Sequence, residues 1–279
     1  MTIVLAVLIV FVVLAVLYLI MIMPRFINKP DMTLFRGWLY AHRGLHDNKT
    51  DAPENSLAAF KRAVDAGYGI ELDIQLTKDG QVVVFHDDTL KRICGIEGKV
   101  CDYTYEQLQE FKLCDSKERI PLFTQVLQLV NGQVPLIVEF KGNNSTNVDL
   151  CPVADEILQK YKGVYCMESF NPLMVAWYRK NRPVVVRGQL SERFFSNGRK
   201  NLLHFVLQNL MLNFYAKPDF IAYKWSDHKT MARRICRKLY GTVAVTWTIQ
   251  SEEAYEASKE HFDLFIFDSF VPENRRRID

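Results

Sequence analysis

The chain has 279 residues, 49% of them hydrophobic and 24% charged, with a formal net charge of +3. That supports a buried core of ordinary size in one large α/β domain or two small ones, and gives no argument for nucleic-acid binding. Its six cysteines (Cys94, Cys101, Cys114, Cys151, Cys166 and Cys236) show neither paired zinc spacing nor a Cys-x-x-Cys redox motif, and suit small buried hydrophobes in a reducing compartment.

From Thr2 to Met23 there is no charged side chain, glycine or proline. Such a run can cross a bilayer core, which needs ~20 apolar residues at 1.5 Å rise each. A cleaved signal peptide would carry a basic start, a shorter apolar run of ~7–15 residues and a small-residue cleavage site. Here no Lys or Arg precedes Arg25, and Ile20-Met21-Ile22-Met23 offers no such site. The expectation is an uncleaved single-pass anchor over residues 1–24, a juxtamembrane linker over 25–37 and one domain over 38–279. Arg25, Lys29 and Arg36 follow the span. Basic flanks prefer the cytoplasmic side, so the domain is expected there.

Nine strand-like runs follow: Trp38–His42, Ile70–Leu76, Val82–His86, Pro135–Phe140, Tyr165–Phe170, Val184–Arg187, Asp219–Tyr223, Val243–Thr248 and Leu264–Asp268. Segments of helical pattern separate most of them, such as Ser56–Ala66, with Asn55 or Ser56 as cap and Gly67 as stop, and Leu122–Val130. Repeated β-then-α predicts a parallel sheet, open or closed into a barrel. Nine is one too many for an eight-stranded barrel, and Thr77-Lys78-Asp79-Gly80-Gln81 is too short for a crossover helix. A hairpin-like excursion after the second strand is therefore expected. The stretch 87–120 lacks a clear βα unit and reads as an insertion over the barrel mouth.

Two histidines stand at strand ends, in Tyr40-Ala41-His42-Arg43-Gly44 and Val84-Phe85-His86-Asp87-Asp88. On a TIM-type barrel the C-terminal strand ends converge on the active site. Between them, Gly69-Ile70-Glu71-Leu72-Asp73-Ile74 puts two acids on one face of a strand and the isoleucines and leucine on the other. Acids side by side inside a sheet repel unless a cation lies between them. Glu139 adds a third oxygen donor and no thiolate joins the set, which describes a magnesium or calcium site rather than zinc. Arg43 and Lys141 can hold phosphate oxygens. A hard cation, two basic groups and two histidines suit phosphodiester cleavage, one imidazole taking a proton and the other giving one.

These residues fall in an order that resembles the glycerophosphodiester phosphodiesterase family: His42-Arg43-Gly44, Pro53-Glu54-Asn55-Ser56, Glu71-Leu72-Asp73 through Asp79-Gly80, and His86-Asp87-Asp88-Thr89-Leu90-x-Arg92. Ile120-Pro121-Leu122, Glu139-x-Lys141, Ser169-Phe170-Asn171-Pro172 and Trp247-Thr248 are similar to its later landmarks. The resemblance implies an α/β fold, a (β/α)8 TIM-type barrel with a small insertion after the third strand, here preceded by one transmembrane helix. It implies His42 and His86 as the acid–base pair, and Glu71, Asp73 and Glu139 as ligands of one divalent cation, Ca²⁺ or Mg²⁺. Arg43 matches a phosphate-contacting arginine, Lys141 a substrate-side lysine and Glu54 a polar residue near the mouth. Phe170 and Trp247 match aromatics lining a glycerol pocket. The implied activity is hydrolysis of small-molecule glycerophosphodiesters to sn-glycerol 3-phosphate and an alcohol.

The ending Phe267-Asp268-Ser269-Phe270-Val271-Pro272 departs from the family's Thr-Asp-Tyr-Pro-like turn, leaving the last strand's part in the site open. The apolar stretch Leu202–Leu212 suits a helix packed on the barrel or one touching lipid. Two alternatives stand beside the main reading. One is a lysophospholipase D-type enzyme acting on lysolipids, which the anchor and this stretch favour. The other is a non-catalytic membrane adaptor, which a lost histidine or metal acid would mark; none is lost.

Overall fold

Eight parallel strands close into a barrel, and a ninth lies outside it. The computed structural model describes residues 2–142 and 146–273. The strands are β1 (Leu39–His42), β2 (Gly69–Leu76), β3 (Val82–Val84), β4 (Leu136–Phe140), β5 (Tyr165–Ser169), β6 (Arg187–Ser191), β7 (Phe220–Lys224), β8 (Val243–Ile249) and β9 (Leu264–Phe267). Their order around the barrel is β1-β9-β8-β7-β6-β5-β4-β2, closed by parallel β1–β2 pairing, with β3 antiparallel on β2. The short turn at residues 77–81 thus makes the hairpin its length requires.

The helices in chain order are α1 (Thr2–Met21), α2 (Leu57–Ala66), α3 (Lys91–Cys94), α4 (Tyr105–Leu108), α5 (Phe123–Val130), α6 (Leu150–Leu158), α7 (Pro172–Asn181), α8 (Leu202–Gln208), α9 (Asn213–Ala216), α10 (Met231–Tyr240) and α11 (Glu252–Ser258). Local chemistry sets several of their ends. The Ser56 side chain accepts from Ala59 N at the start of α2, and Gly67 ends it in the left-handed region. Asn171 caps α7, with Pro172 in its first turn.

The strand alternation sorts side chains into two layers. Ile70, Leu72 and Ile74 face outward into the core shared with the helices, alongside Phe60, Phe123 and Val126. Inside the barrel, Tyr40, Ile137, Cys166, Phe220 and Ile266 fill the N-terminal half, and Met32 and Phe35 plug that end from below. Gly188 is required by this packing, because a Cβ there would fall 2.1 Å from the Phe220 ring. Between β3 and α5, the inserted segment has its own small core of Val83, Phe85, Leu90, Ile93 and Ile120.

One strand differs from the sequence expectation. Val184–Arg187 was the apolar run, but Val185 N bonds back to Arg182 O in a turn and Val184 is 80% exposed. The ladder with β5 begins only at Arg187, where Met167 pairs with it, and runs to polar Gln189, while Ser191 pairs with Tyr223 on β7. Gly188 and Leu190 face the barrel interior, so Gln189 and Ser191 face outward, where they find partners: Gln189 Nε2 donates to Ser169 O at 3.0 Å and Ser191 Oγ to Leu207 O on α8 at 3.0 Å. Hydrophobicity alone marks the wrong half of that segment.

Candidate active site

His42 ends β1 and Glu139 is next to last in β4, while Glu71 and Asp73 are the third and fifth residues of β2, whose last residues run on into the hairpin with β3. Glu71, Asp73 and Glu139 are all buried, and one carboxylate oxygen from each lies within 4.8 Å of the other two. Register explains the convergence: Glu71 lies opposite His42 across β1–β2, and Asp73 opposite Glu139 across β2–β4. Burial, with the charges of Asp73 and Glu139 beside it, raises Glu71 well above the ordinary carboxylate range. Burial also raises Glu139, against the pull of Lys141. It would raise Asp73 too, but positive neighbours, Lys141 foremost, hold Asp73 well below the usual range.

Three buried oxygen donors with more negative charge than nearby cations balance fit a hard divalent ion. Among the described residues two mixed groups also bring one donor atom from each residue within 4.8 Å of the others, His42 with His46 and Asp268, and Glu54 with His86 and Asp87. In each of these the charges already pair with histidine or arginine, so neither needs a metal.

The two histidines are held alike. His42 Nδ1 lies 2.7 Å from Asp268 Oδ2, and His86 Nδ1 lies 2.7 Å from Asp87 Oδ1. A carboxylate on Nδ1 fixes the tautomer and leaves Nε2 for chemistry; His42 Nε2 lies 3.9 Å from Glu71 Oε2. Burial, with Arg43 next to it, lowers His42 to about 4 despite Asp268. Its ring is therefore neutral at neutral pH.

Arg43 reaches the acids because its backbone takes a left-handed turn at φ +55°. Its N–H donates to Glu71 Oε2 at 3.2 Å, Nη1 donates to Glu54 Oε1 at 2.6 Å, and Nε lies 3.6 Å from Asp73. Asn55, also at positive φ, donates from its backbone N–H to Arg43 O and from Nδ2 to Asp73 Oδ2, both at 2.9 Å. A strained pair bonded to each other in this way marks a position built for a purpose. Lys141 Nζ sits 2.7 Å from Glu139 and 3.1 Å from Asp73.

Glu54 does not approach the acid cluster as a ligand but ties the site together. Arg92 donates to both its oxygens at 2.7 Å, and holds Asp87 with two more bonds. A continuous chain thus runs from His86 through Asp87, Arg92 and Glu54 to Arg43. Although burial opposes it, these partners lower Glu54 to about 2. Phe170 and Trp247 meet edge to face at 5.6 Å and pack against the barrel interior.

The site residues expected from sequence therefore gather at one end of the barrel. Sequence reasoning did not single out four others. Asp268, just beyond β9, is the partner of His42, which gives the last strand a place in the site. Asp87 and Arg92 lie inside a quoted motif, yet nothing local marks them as the support of His86. Glu168 on β5 lies beside Glu139 in register and is 1% exposed; burial and Glu139 raise it well above the usual range. Its alternation with Cys166 on the inner face was the available signal.

A sequence profile of the glycerophosphoryl diester phosphodiesterase family matches residues 42–268. A glycerophosphodiester phosphodiesterase of Bacillus altitudinis is 40% identical over 114 residues, which is 38% of this chain and only 45% of that relative's length. The YhdW protein of Bacillus subtilis is 33% identical over 221 residues, covering 70% of this chain and 89% of that one. Among solved structures, an Oleispira antarctica phosphodiesterase in complex with the product sn-glycerol-3-phosphate superimposes with a TM-score of 0.68 at 21% identity, covering 84% of this chain and 93% of the other.

Proposed function

The chain belongs to the glycerophosphoryl diester phosphodiesterase family, and we propose that it hydrolyses water-soluble glycerophosphodiesters to sn-glycerol 3-phosphate and an alcohol. The observation that carries the reading is the convergence of three buried carboxylates, two carboxylate-held histidines and the cations Arg43 and Lys141 at one barrel end. Arg43 and Lys141 hold the phosphate oxygens, Arg43 through its fork and Lys141 as a point charge. His42, neutral and anchored by Asp268, accepts at Nε2 the proton of the nucleophile whose oxygen adds to phosphorus, water supplying that hydroxyl over the whole hydrolysis. His86, anchored by Asp87, donates from Nε2 to the departing alkoxide. Glu71, Asp73 and Glu139 would hold a Ca²⁺ or Mg²⁺ ion, which when bound would add positive charge beside the phosphate. Phe170 and Trp247 offer an apolar wall to the glycerol carbons. The product bound in the Oleispira protein is in keeping with this substrate class.

One observation favours a second reading, cleavage of lysolipids. The Phe170 ring lies 6.1 Å from Phe194, and Phe194 lies 5.3 Å from His204 on α8. That helix exposes Leu202 and Phe205, so an acyl chain would find apolar surface beside the mouth. Turnover of glycerophosphocholine, glycerophosphoethanolamine and glycerophosphoglycerol should be compared with that of a lysolipid, measuring free glycerol 3-phosphate and lysophosphatidate separately. Soluble diesters should show the higher kcat/KM. A lysolipid that exceeds all of them would replace the first reading by the second.

Residues Ile3–Met21 of α1 form one helix long and apolar enough to cross a membrane, with a mean hydropathy of 3.5 and no buried share. We place the barrel on the cytoplasmic side, because Arg25, Lys29 and Arg36 follow the span. A membrane-impermeant thiol reagent on intact cells should leave the partly exposed Cys94, Cys101 and Cys114 unmodified until lysis. Labelling before lysis would put the barrel outside.

A further inference from the structure

The end of α1 is docked on the barrel, and it is docked at the end opposite the site. Ile22 is fully buried, and its carbonyl accepts from Asn213 Nδ2 at 3.2 Å and Cys236 Sγ at 3.3 Å. One turn earlier, Leu19 O accepts from Tyr240 Oη at 2.8 Å. Cys236 and Tyr240 are successive turns of α10, which runs from the mouth toward the N-terminal ends of the strands. Going back along α1 therefore leads toward that base, and every residue from Ile3 to Leu17 is exposed. The helix leaves the protein past the base.

The chain after α1 stays there. Arg25 N donates to Pro218 O at 3.0 Å, directly before β7, and Arg25 Nη1 reaches Pro183 O and Asp219. Lys29 Nζ donates to Tyr240 O and Gly241 O, just before β8. These bonds satisfy carbonyls that a helix end otherwise leaves open, and they make the junction a fixed mount.

The base surface has the composition of a surface that meets a bilayer. The segments 25–37, 159–164, 182–186, 217–219 and 259–263, which lead into strands, carry eight Lys or Arg against four Asp or Glu. One of those acids, Asp219, is buried against Arg25 and Arg187. Apolar side chains stand exposed among them: Phe26 at 46%, Ile27 at 63%, Leu34 at 62% and Val184 at 80%. Basic residues beside exposed apolar ones are attracted to anionic lipid and seat at the headgroup boundary.

We infer that the base of the barrel rests on an anionic lipid surface around α1 and so holds the mouth, on the far side, toward water. This rests on the reading of α1 as a membrane anchor and deepens the preference for soluble substrates. The full-length chain, carrying a fluorescent amino acid at Ile27, Val184 or Leu202, is reconstituted into vesicles of phosphatidylcholine and phosphatidylglycerol with brominated acyl chains. After flotation, quenching should be strong at Ile27 and Val184 and absent at Leu202. In vesicles of phosphatidylcholine alone, quenching at Val184 should fall. Quenching at Leu202 comparable to that at Val184, or none at the two base positions, overturns the orientation. Unchanged quenching at Val184 without phosphatidylglycerol overturns the headgroup contact. A chain that fails to float refutes the anchor itself, and the inference falls with it.

Discussion

Replacing His42 or His86 with alanine should lower turnover at least ~100-fold while moving Tm little, the scale expected for a lost acid or base. Neither ring holds the fold. Removing His42 leaves Asp268 with Ser269 Oγ at 2.9 Å and His46 at 3.5 Å, so its charge keeps company. Removing His86 leaves Asp87 on Arg92. The lost bond in each case is one to an ionised carboxylate, worth about 2 kcal/mol of stability, a fall of only a few degrees in Tm. The paired carboxylates should show in a graded way. Asp268→Asn should cost about 10–100-fold, because a misplaced proton on the ring spoils the tautomer while the ring stays. His42 sits at about 4 through burial and Arg43, so a base at that position is lost only as pH falls through that value. The rate profile should therefore show no acid limb from His42 near its ordinary value. Wild-type-like turnover in either alanine variant would remove the assignment, as would a His42→Ala variant that melts far below the parent.

Much of this site is legible from local pattern, because its acids obey strand alternation. In Gly69–Leu76 the outward Ile70, Leu72 and Ile74 are apolar because they meet the helices, and that leaves Glu71 and Asp73 only one direction to face. The hairpin was equally forced, since five residues cannot make a crossover. What sequence could not supply were contacts between distant positions. The bond from His42 to Asp268 spans 226 residues, and that from Arg92 to Glu54 spans 38. Nothing in the neighbourhood of Asp268 distinguishes an acid that orients an imidazole from one that meets solvent. The docking of residues 22–29 is hidden for the same reason, since its partners lie on α9, α10 and the approaches to β7 and β8. β6 misled because a valine run in a turn looks more strand-like than a strand with arginine, glutamine and serine in it. Between strand and helices, backbone carbonyls and the buried Asp219 satisfy these residues, so a hydrophobicity rule fails where buried polar groups find partners.

Removing divalent cations should abolish activity, and Ca²⁺ or Mg²⁺ should restore it, but the sharper expectation concerns stability. Glu71, Asp73 and Glu139 crowd three carboxyl groups into a buried space that Arg43 and Lys141 only partly balance. Folding without a cation must either protonate one acid or bear their repulsion. A Glu71→Gln variant keeps the shape, accepts the Arg43 N–H through its amide oxygen and removes one charge. Metal-free, it should melt at or above the temperature of the metal-free parent. The parent should then gain stability as Ca²⁺ or Mg²⁺ is added, by about 2.7 kcal/mol at a hundredfold excess over Kd. The variant should gain far less, and its turnover should stay negligible at any cation concentration. A double variant, Glu71→Gln with Asp73→Asn, should lose the cation-dependent rise in Tm altogether. Full activity after exhaustive chelation would sink the metal site, and so would an undiminished rise in Tm in that double variant. If instead Glu71→Gln melted well below the metal-free parent, the carboxylate would be holding the fold through its bond to Arg43, and repulsion would not be the dominant energy at this end of the barrel.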